Sequence, residues 1–427
     1  MKKKIKILLE RPILLVALFL LVFYTPFALL MPADTSSRAI IIRLGIDYSG
    51  EEIEVSAVTF VPTPNTSYVE NYKLVNAKAP TVSEGIYAIS NYVGKQIVLN
   101  LIDFIVVNEE AARQDLSVML DGLARNDKID NDTYIICTNG SSKDFLNATL
   151  NLNSASDLNI EEIISYSTRK IYSSDSNIES FYQGYFGTSK ISSLGYVELN
   201  DGEVGLNTEG GSSASEGGQS MQGGAQGGAQ SGVSDKQNQG SESKKTTLLN
   251  EGKMAIFKEG KLKLILDKDE LRGLNWANPR PNETYLKIYN VKDDVFKDAD
   301  LTFEVKHKDA THHAYFVGKL PVFEINLKLD LVLDQIEQGG ITEEVLHTQL
   351  KTVSGDIIQK INNEIKKDFS VAREIMAKNK LDLLQVYSLF SISTPKEFKS
   401  FLNSLEDKTD FIDYINFKIK VEAKIAM

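Results

Sequence analysis

The chain has 427 residues, with 47 Lys plus Arg against 58 Asp plus Glu for a formal net charge of −11, and it is 42% hydrophobic and 25% charged. That length admits roughly two or three domains, and the composition excludes both a wholly disordered polymer and a polytopic membrane protein. The acidic balance argues against a nucleic-acid partner, because phosphates are held mainly by clustered Lys and Arg, and a single cysteine, Cys137, excludes an intramolecular disulfide framework or a multi-cysteine zinc site.

The charge is unevenly spread. Lys2, Lys3, Lys4, Lys6 and Arg11 against Glu10 give the first 33 residues +4 and leave −15 for the remainder. Ile13 to Met31 is a 19-residue run without a charge, which at 1.5 Å per helical residue approaches the roughly 30 Å hydrocarbon core. The pattern predicts a transmembrane signal anchor over 13–31, a basic cytoplasmic N-terminus over 1–12, and an ectodomain across the membrane from about Asp34. Pro26 is expected to kink the helix. The competing reading is a cleaved secretory signal, for which Met31-Pro32-Ala33 is a poor small-x-small site. No Cys directly follows the apolar run, so acylation of a new N-terminal cysteine is chemically impossible.

Past the anchor, Ala39–Leu44, Ile53–Val61, Ile102–Val107 and Tyr134–Cys137 read as strands. Helical spacing over Val82–Gly94, Glu109–Arg125, Asp144–Leu152 and Leu158–Tyr172 interleaves with them, the pattern of a mixed α/β layer. Between Gly202 and Gly252 lie 13 of the 28 glycines with many Ser and Gln, a linker with little to bury. Met254–Phe257 and Lys261–Leu266 form a strand pair turned at Glu259-Gly260, followed by a helix from Asp267 to Leu274 capped by Asp267. A lone hairpin is marginal, so it is expected to complete a sheet begun near Gly195–Leu199, with the linker interrupting one domain. Leu301–Val305 and Val322–Val332 alternate as strands. From Thr342 a long helix carries Val345, Leu346, Leu350, Val353, Ile357, Ile361, Ile365 and Phe369 in one stripe, expected to pack on a sheet of the same chain. Ile415–Ile425 closes the chain as a strand.

The search for chemistry yields little. There is no P-loop, dinucleotide fingerprint, paired-cysteine motif or His-Glu-x-x-His. His307, His312 and His313 cluster near Asp309, with His347 distant, but adjacent His312 and His313 on a strand point to opposite faces, which favours an exposed polar turn over a metal site. Cys137 in an apolar run reads as a buried, inert thiol. Carboxylate pairs arise by chance in so charged a chain. Trp276 can stack on a ligand or simply pack at a helix end. No catalytic, cofactor-binding or metal-binding residue is assigned, and no cofactor is expected.

Several motifs in order resemble the C subunit of spore germinant receptors, the Ger(x)C family. They are Leu44-Gly45-Ile46-Asp47 with the strand to Val61-Pro62, Ser83-Glu84-Gly85, Gly94-Lys95, and Glu109-Glu110-Ala111-Ala112-Arg113. Leu120-Asp121 and Arg125-Asn126 follow, where the family usually has Arg-Asp. Downstream, Ala255-Ile256-Phe257-Lys258, Gly260-Lys261-Leu262 and Glu270-Leu271-Arg272-Gly273-Leu274 are similar to a central-domain signature. Leu381-Asp382-Leu383 and Pro395 before Phe398 are similar to a carboxy-terminal motif that more often has Trp at the last place.

The resemblance implies an α+β, mixed α/β architecture of three ectodomain modules, drawn here as 34–155, 156–283 (interrupted by the linker at 203–250) and 284–427. It also implies the outer face of the spore inner membrane as location and two membrane-embedded A and B type receptor subunits as partners. The function so implied is that of a non-catalytic receptor subunit in germination signalling. Two departures stand out: members usually carry a lipoprotein cysteine, for which residues 13–31 would substitute, and the Gly-rich linker is unusual. An anchored cell-envelope hydrolase and an extracytoplasmic solute-binding protein are the alternatives. Lys258, Lys261 and the segment Glu270–Leu274 are the surfaces singled out for mutation, with Gly260 and Gly273 expected to serve backbone turns.

Overall fold

The structure, a computed structural model, describes Phe19 and residues 37–50, 52–61, 72–155, 176–201, 246–279, 284–292, 296–337 and 355–426. Apart from Phe19, the expected anchor at 13–31 lies outside the described residues, as do the expected helix at 158–172, His347 and the first part of the helix expected from Thr342. Among the described residues no helix is long and apolar enough to cross a membrane.

β1 (Arg38–Tyr48), β2 (Ile53–Phe60) and β3 (Tyr72–Ala79) form an antiparallel meander. The chain returns through α1 (Val82–Val93) and the short β4 (Gln96–Val98) to β5 (Phe104–Asn108), parallel to β1. α2 (Glu109–Arg113) and α3 (Leu116–Ala124) lead to β6 (Tyr134–Thr138); α4 (Ser142–Ala155) and α5 (Ile178–Phe186) lead to β7 (Ile191–Asp201). β5, β6 and β7 are successively parallel. The single helix expected over 109–125 is broken because Asp115 takes an extended conformation and its carboxylate accepts from Ser117 N, capping a new helix. β5 and β6 are covered on both faces, which explains their uninterrupted Phe-Ile-Val-Val and Ile-Ile-Cys runs.

β8 (Thr246–Lys258), antiparallel to β7, and β9 (Lys261–Leu266), antiparallel to β8, then extend the sheet. Its order is β3-β2-β1-β5-β6-β7-β8-β9 with β4 beside β1. Met254 pairs with Gly195, where the marginal hairpin was expected to find its sheet, and Thr246 pairs with Asp201, so the Gly-rich stretch joins neighbouring strands. β8 begins inside the expected carboxyl end of that stretch. β6 and β7, on either side of the division drawn at 155/156, are neighbours in this sheet.

A second sheet runs β10 (Thr284–Lys292), β11 (Lys297–Val317), β12 (Leu320–Glu337) and β13 (Asn416–Ala426), the first three antiparallel and the last parallel to β12. α6 (Lys268–Ala277), α7 (Gly355–Asn379), α8 (Val386–Ser393), α9 (Pro395–Ser404) and a 3-10 turn (Lys408–Tyr414) complete the second half. Of the described part of the long stripe, Ile357, Ile361 and Ile365 are buried with Leu327, Leu329 and Leu331 of β12 and Phe369 with Phe323 and Ile325 of the same strand, so the helix does pack on a sheet of its own chain. The fold is thus mixed α+β.

Candidate functional site

The two sheets meet at β8, and this junction gathers the downstream motif residues. Successive side chains of a strand face opposite sides. Ala255 and Phe257 accordingly enter the core beneath α2, α3 and α5, while Met254 and Ile256 enter the core shared with α6, α7 and α8. The short apolar run is therefore one wall of two cores. Its turn places both Glu259 (φ 53°) and Gly260 (φ 79°) in the left-handed region, the geometry of a tight two-residue hairpin turn. Gly260 O accepts from Leu116 N at 2.9 Å, and a Cβ on Gly260 would lie 3.3 Å from Asp115 Cγ. Lys258 donates to Ser189 O at 3.2 Å, whereas Lys261 is exposed.

α6 opens with a reciprocal capping box: Glu270 N donates to Asp267 Oδ1 and Asp267 N to Glu270 Oε2, both at 2.9 Å. Its buried face crosses α7 so closely that a Cβ on Gly273 would stand 2.7 Å from the Asp368 carbonyl carbon, nearer still to the oxygen, and 2.9 Å from Ala372 Cβ. Gly273 therefore sits in a helix and serves a close backbone approach; the expectation that it serves a turn is corrected. Trp276 is 1% exposed and donates Nε1–H to Asp368 Oδ2 at 2.9 Å, so its ring packs at a helix end and offers no stacking face to a ligand. Arg272 Nε lies 2.9 Å from the same carboxylate oxygen but off the hydrogen-bond direction, an ion pair. Burial pushes the Asp368 carboxyl up, against the pull of Trp276 and Arg272.

Asp382, in the loop between α7 and α8, accepts from Val386 N at 2.6 Å, Tyr387 N at 2.9 Å and Ser189 Oγ at 2.7 Å. One buried carboxylate thus satisfies the first turn of α8, which has no side-chain cap of its own, and ties it to the loop before β7. Burial raises its pKa, opposed by these donors and by Lys258. On the inward side of β11, Lys308 donates to Asn275 O and His312 Nε2–H to Ala277 O, both at 2.6 Å. These two side chains serve the carbonyls at the end of α6, where cations and donors are favoured. Desolvation lowers Lys308 to about 8 and also lowers His312.

The amino-terminal motif works the same way. Asp47 accepts from Ser142 N at 2.7 Å, Ser142 Oγ at 2.8 Å and Ser141 Oγ at 3.2 Å, capping α4 from β1. A Cβ on Gly45 would come within 2.5 Å of Ser142 Oγ, so this glycine lets the helix start reach the strand. Burial raises the Asp47 pKa although every donor to it acts the other way. Glu109 accepts a short hydrogen bond from Tyr196 and pairs with Arg113, and Ala111 and Ala112 are fully buried. Asn126, in place of the family's usual Asp, still accepts from Lys128 N through its side-chain oxygen at 3.1 Å. Phe398, in place of Trp, stacks on Phe390 at 5.2 Å between ring centres.

His307, Asp309 and His313 lie on the exposed face of β11 and His312 on the inward one. Among the described residues no three His, Cys, Asp or Glu side chains converge as a metal would require. Cys137 is fully buried and its thiol is pushed well up by desolvation and by Glu109, which leaves it without thiolate character. The sequence reading overlooked Asp368, Lys308 and the capping roles of Asp47 and Asp382. Lys308 would have been visible had the strand at 301–305 been carried on to 317, where it falls on the apolar phase.

A family model described as the spore germination protein N-terminal domain matches residues 33–199, and one described as spore germination B3/GerAC like, C-terminal, matches 252–427. A solved structure described as the crystal structure of the GerBC protein is similar over 90% of this chain and 97% of that one, at 14% identity and a TM-score of 0.48. No curated protein matches the sequence.

Proposed function

This chain belongs to the GerAC family of spore germination proteins, and from that premise we propose that it is a non-catalytic, membrane-anchored subunit of a spore nutrient germinant receptor. The reading rests on both family domains occurring in order over residues 33–199 and 252–427. It is supported by what the motif side chains do. Asp47, Asp368 and Asp382 are each occupied by protein donors that hold one element against another, the role expected of a scaffold whose outer surface meets other subunits. In this proposal residues 13–31 anchor the chain in the spore inner membrane with residues 1–12 inside, and the ectodomain stands on the outer side beside membrane-embedded A and B type subunits. In the same proposal the ectodomain comprises three modules, 34–155, 156–283 and 284–427.

The test is dipicolinic acid release from spores lacking this protein, challenged with a nutrient panel and, separately, with a trigger that bypasses receptors. Loss of the nutrient response alone, restored by complementation, is the expected result. Loss of both responses, or of neither, would turn attention to an envelope enzyme.

A further inference from the structure

A cavity of about 530 Å³ opens at the junction of the two sheets, within the size range of small-molecule sites. Its floor is apolar: Ile191 of β7, Met254 and Ile256 of β8, and Leu274 of α6. Its walls and rim are hydroxyls and carboxamides from four separate segments, among them Gln183, Thr188, Ser193, Asn275, Gln385 and Ser388. Each such group both donates and accepts. The side chains of Ser193, Gln385 and Ser388 have no protein hydrogen-bond partner among the described residues. Gln385 is also held at φ 55° with ψ 35°, the left-handed region, at the start of a helix that it does not cap. A non-glycine residue in that conformation carries strain, and such strain concentrates at functional positions.

The two ionisable groups facing the space are already engaged. Asp382 accepts from Ser189, Val386 and Tyr387, and His312 is bound to Ala277 O. Among the described residues no Lys or Arg lines the cavity, and Lys258 behind its rim is bonded to Ser189 O. A zwitterion or a phosphate would therefore leave its anionic end without a cation in a partly desolvated space, which is costly. An uncharged molecule with an apolar face and a hydroxyl-rich edge meets no such cost. We propose that this cavity is a binding site for a small, neutral polyhydroxyl solute of monosaccharide size, seated with its C–H face on Ile191, Met254 and Leu274 and its hydroxyls toward Ser193, Ser388 and Gln385. Because its walls come from both halves of the molecule, an occupant bridges them.

The experiment is saturable binding to the purified 427-residue chain, followed by isothermal titration and saturation-transfer NMR with D-glucose and myo-inositol, and with L-alanine and inorganic phosphate as charged comparators. Melting temperature is not the readout, since polyols stabilise proteins generally by exclusion from their surfaces. The expected result is saturable one-to-one binding of at least one polyol and none of the charged probes. Ser193→Leu, which fills the space, should abolish binding, and Gln385→Gly, which suits the left-handed conformation and removes one hydrogen-bonding side chain, should weaken it about tenfold. If Ser193→Leu does not fold, the Gln385→Gly comparison decides. Absence of saturable polyol binding, equal binding of alanine or phosphate, or affinity unchanged in Gln385→Gly overturns the proposal. The receptor reading is tested separately by the germination phenotype and survives any of these outcomes.

Discussion

Gly273→Ala isolates the closeness of the α6–α7 crossing. In an exposed helix the exchange would stabilise by about 0.8–1.0 kcal/mol. Here the new methyl stands 2.7 Å from the Asp368 carbonyl carbon and 2.9 Å from Ala372 Cβ. The first of these neighbours is backbone and cannot rotate away, so the helices must separate by roughly an ångström, and overpacking of this kind costs about 1–3 kcal/mol. Separation also stretches the Trp276 to Asp368 hydrogen bond, worth about 1 kcal/mol net or more to a charged acceptor. The expected balance is a loss of about 1–2 kcal/mol. Trp276 is the single tryptophan of the chain and sits at the contact, so urea unfolding followed by its fluorescence reads this region directly. Two companions sharpen the measurement. Adding Ala372→Gly removes the 2.9 Å neighbour but leaves the carbonyl, and should not restore stability. Gly355→Ala on α7, where a Cβ meets nothing within 4 Å, should be neutral or stabilising by about 0.4–1 kcal/mol. A Gly273→Ala chain as stable as its parent, or one rescued by Ala372→Gly, would refute the reasoning.

Four further outcomes are expected. Asp47→Ala loses a cap and strands the Ser142 N–H and hydroxyl, for about 2–4 kcal/mol in a denaturant midpoint comparison; a loss under 1 kcal/mol would mean that the α4 start is served otherwise. Because burial raises Asp382 above 3.8, its contribution is fully present below that value and fades as pH rises through its folded pKa, so the parent should lose ground to Asp382→Asn as pH rises above about 4. A pH-independent difference would show that the carboxyl titrates as it does when unfolded. Lys308 has the opposite sign: with a folded pKa of about 8 against 10.5, the folded state holds fewer protons in that window. The parent should therefore gain on Lys308→Met as pH rises from about 8 to 10. Finally, Cys137 should resist a thiol reagent in the native chain and react once urea unfolds it; rapid native labelling would show that its surroundings open.

Strands β1, β2, β5 and β6 and helices α1 and α4 were legible because period and capping residues agree there. The hairpin at Glu259-Gly260 was legible for the same reason, and its need for further strands pointed to Gly195. Three features were less visible. β10 is interrupted by a bulge between Ile288 and Val291, and β11 carries Lys308 and His312 on its inward face, so the apolar alternation is broken in both. α8 begins with a strained Gln385 instead of a cap, its first turn being served from Asp382, so no start signal is present in the sequence. The roles of Asp47 and Asp368 depend on partners 95 and 92 residues away, and no local pattern records such a pairing. Gly273 was recognised as constrained, but its reason, a neighbouring helix, is likewise remote in sequence.

The facing positions of Asp201 and Thr246 across the β7–β8 ladder make this a natural grafting point. The two ends are already held together by the sheet, so the length between them enters the folding free energy only logarithmically, about 0.6 kcal/mol per doubling. A fluorescent reporter domain, whose own termini usually lie close together, can replace the intervening residues without prying the strands apart. That gives a tagging position remote from both chain ends for following the protein in living spores.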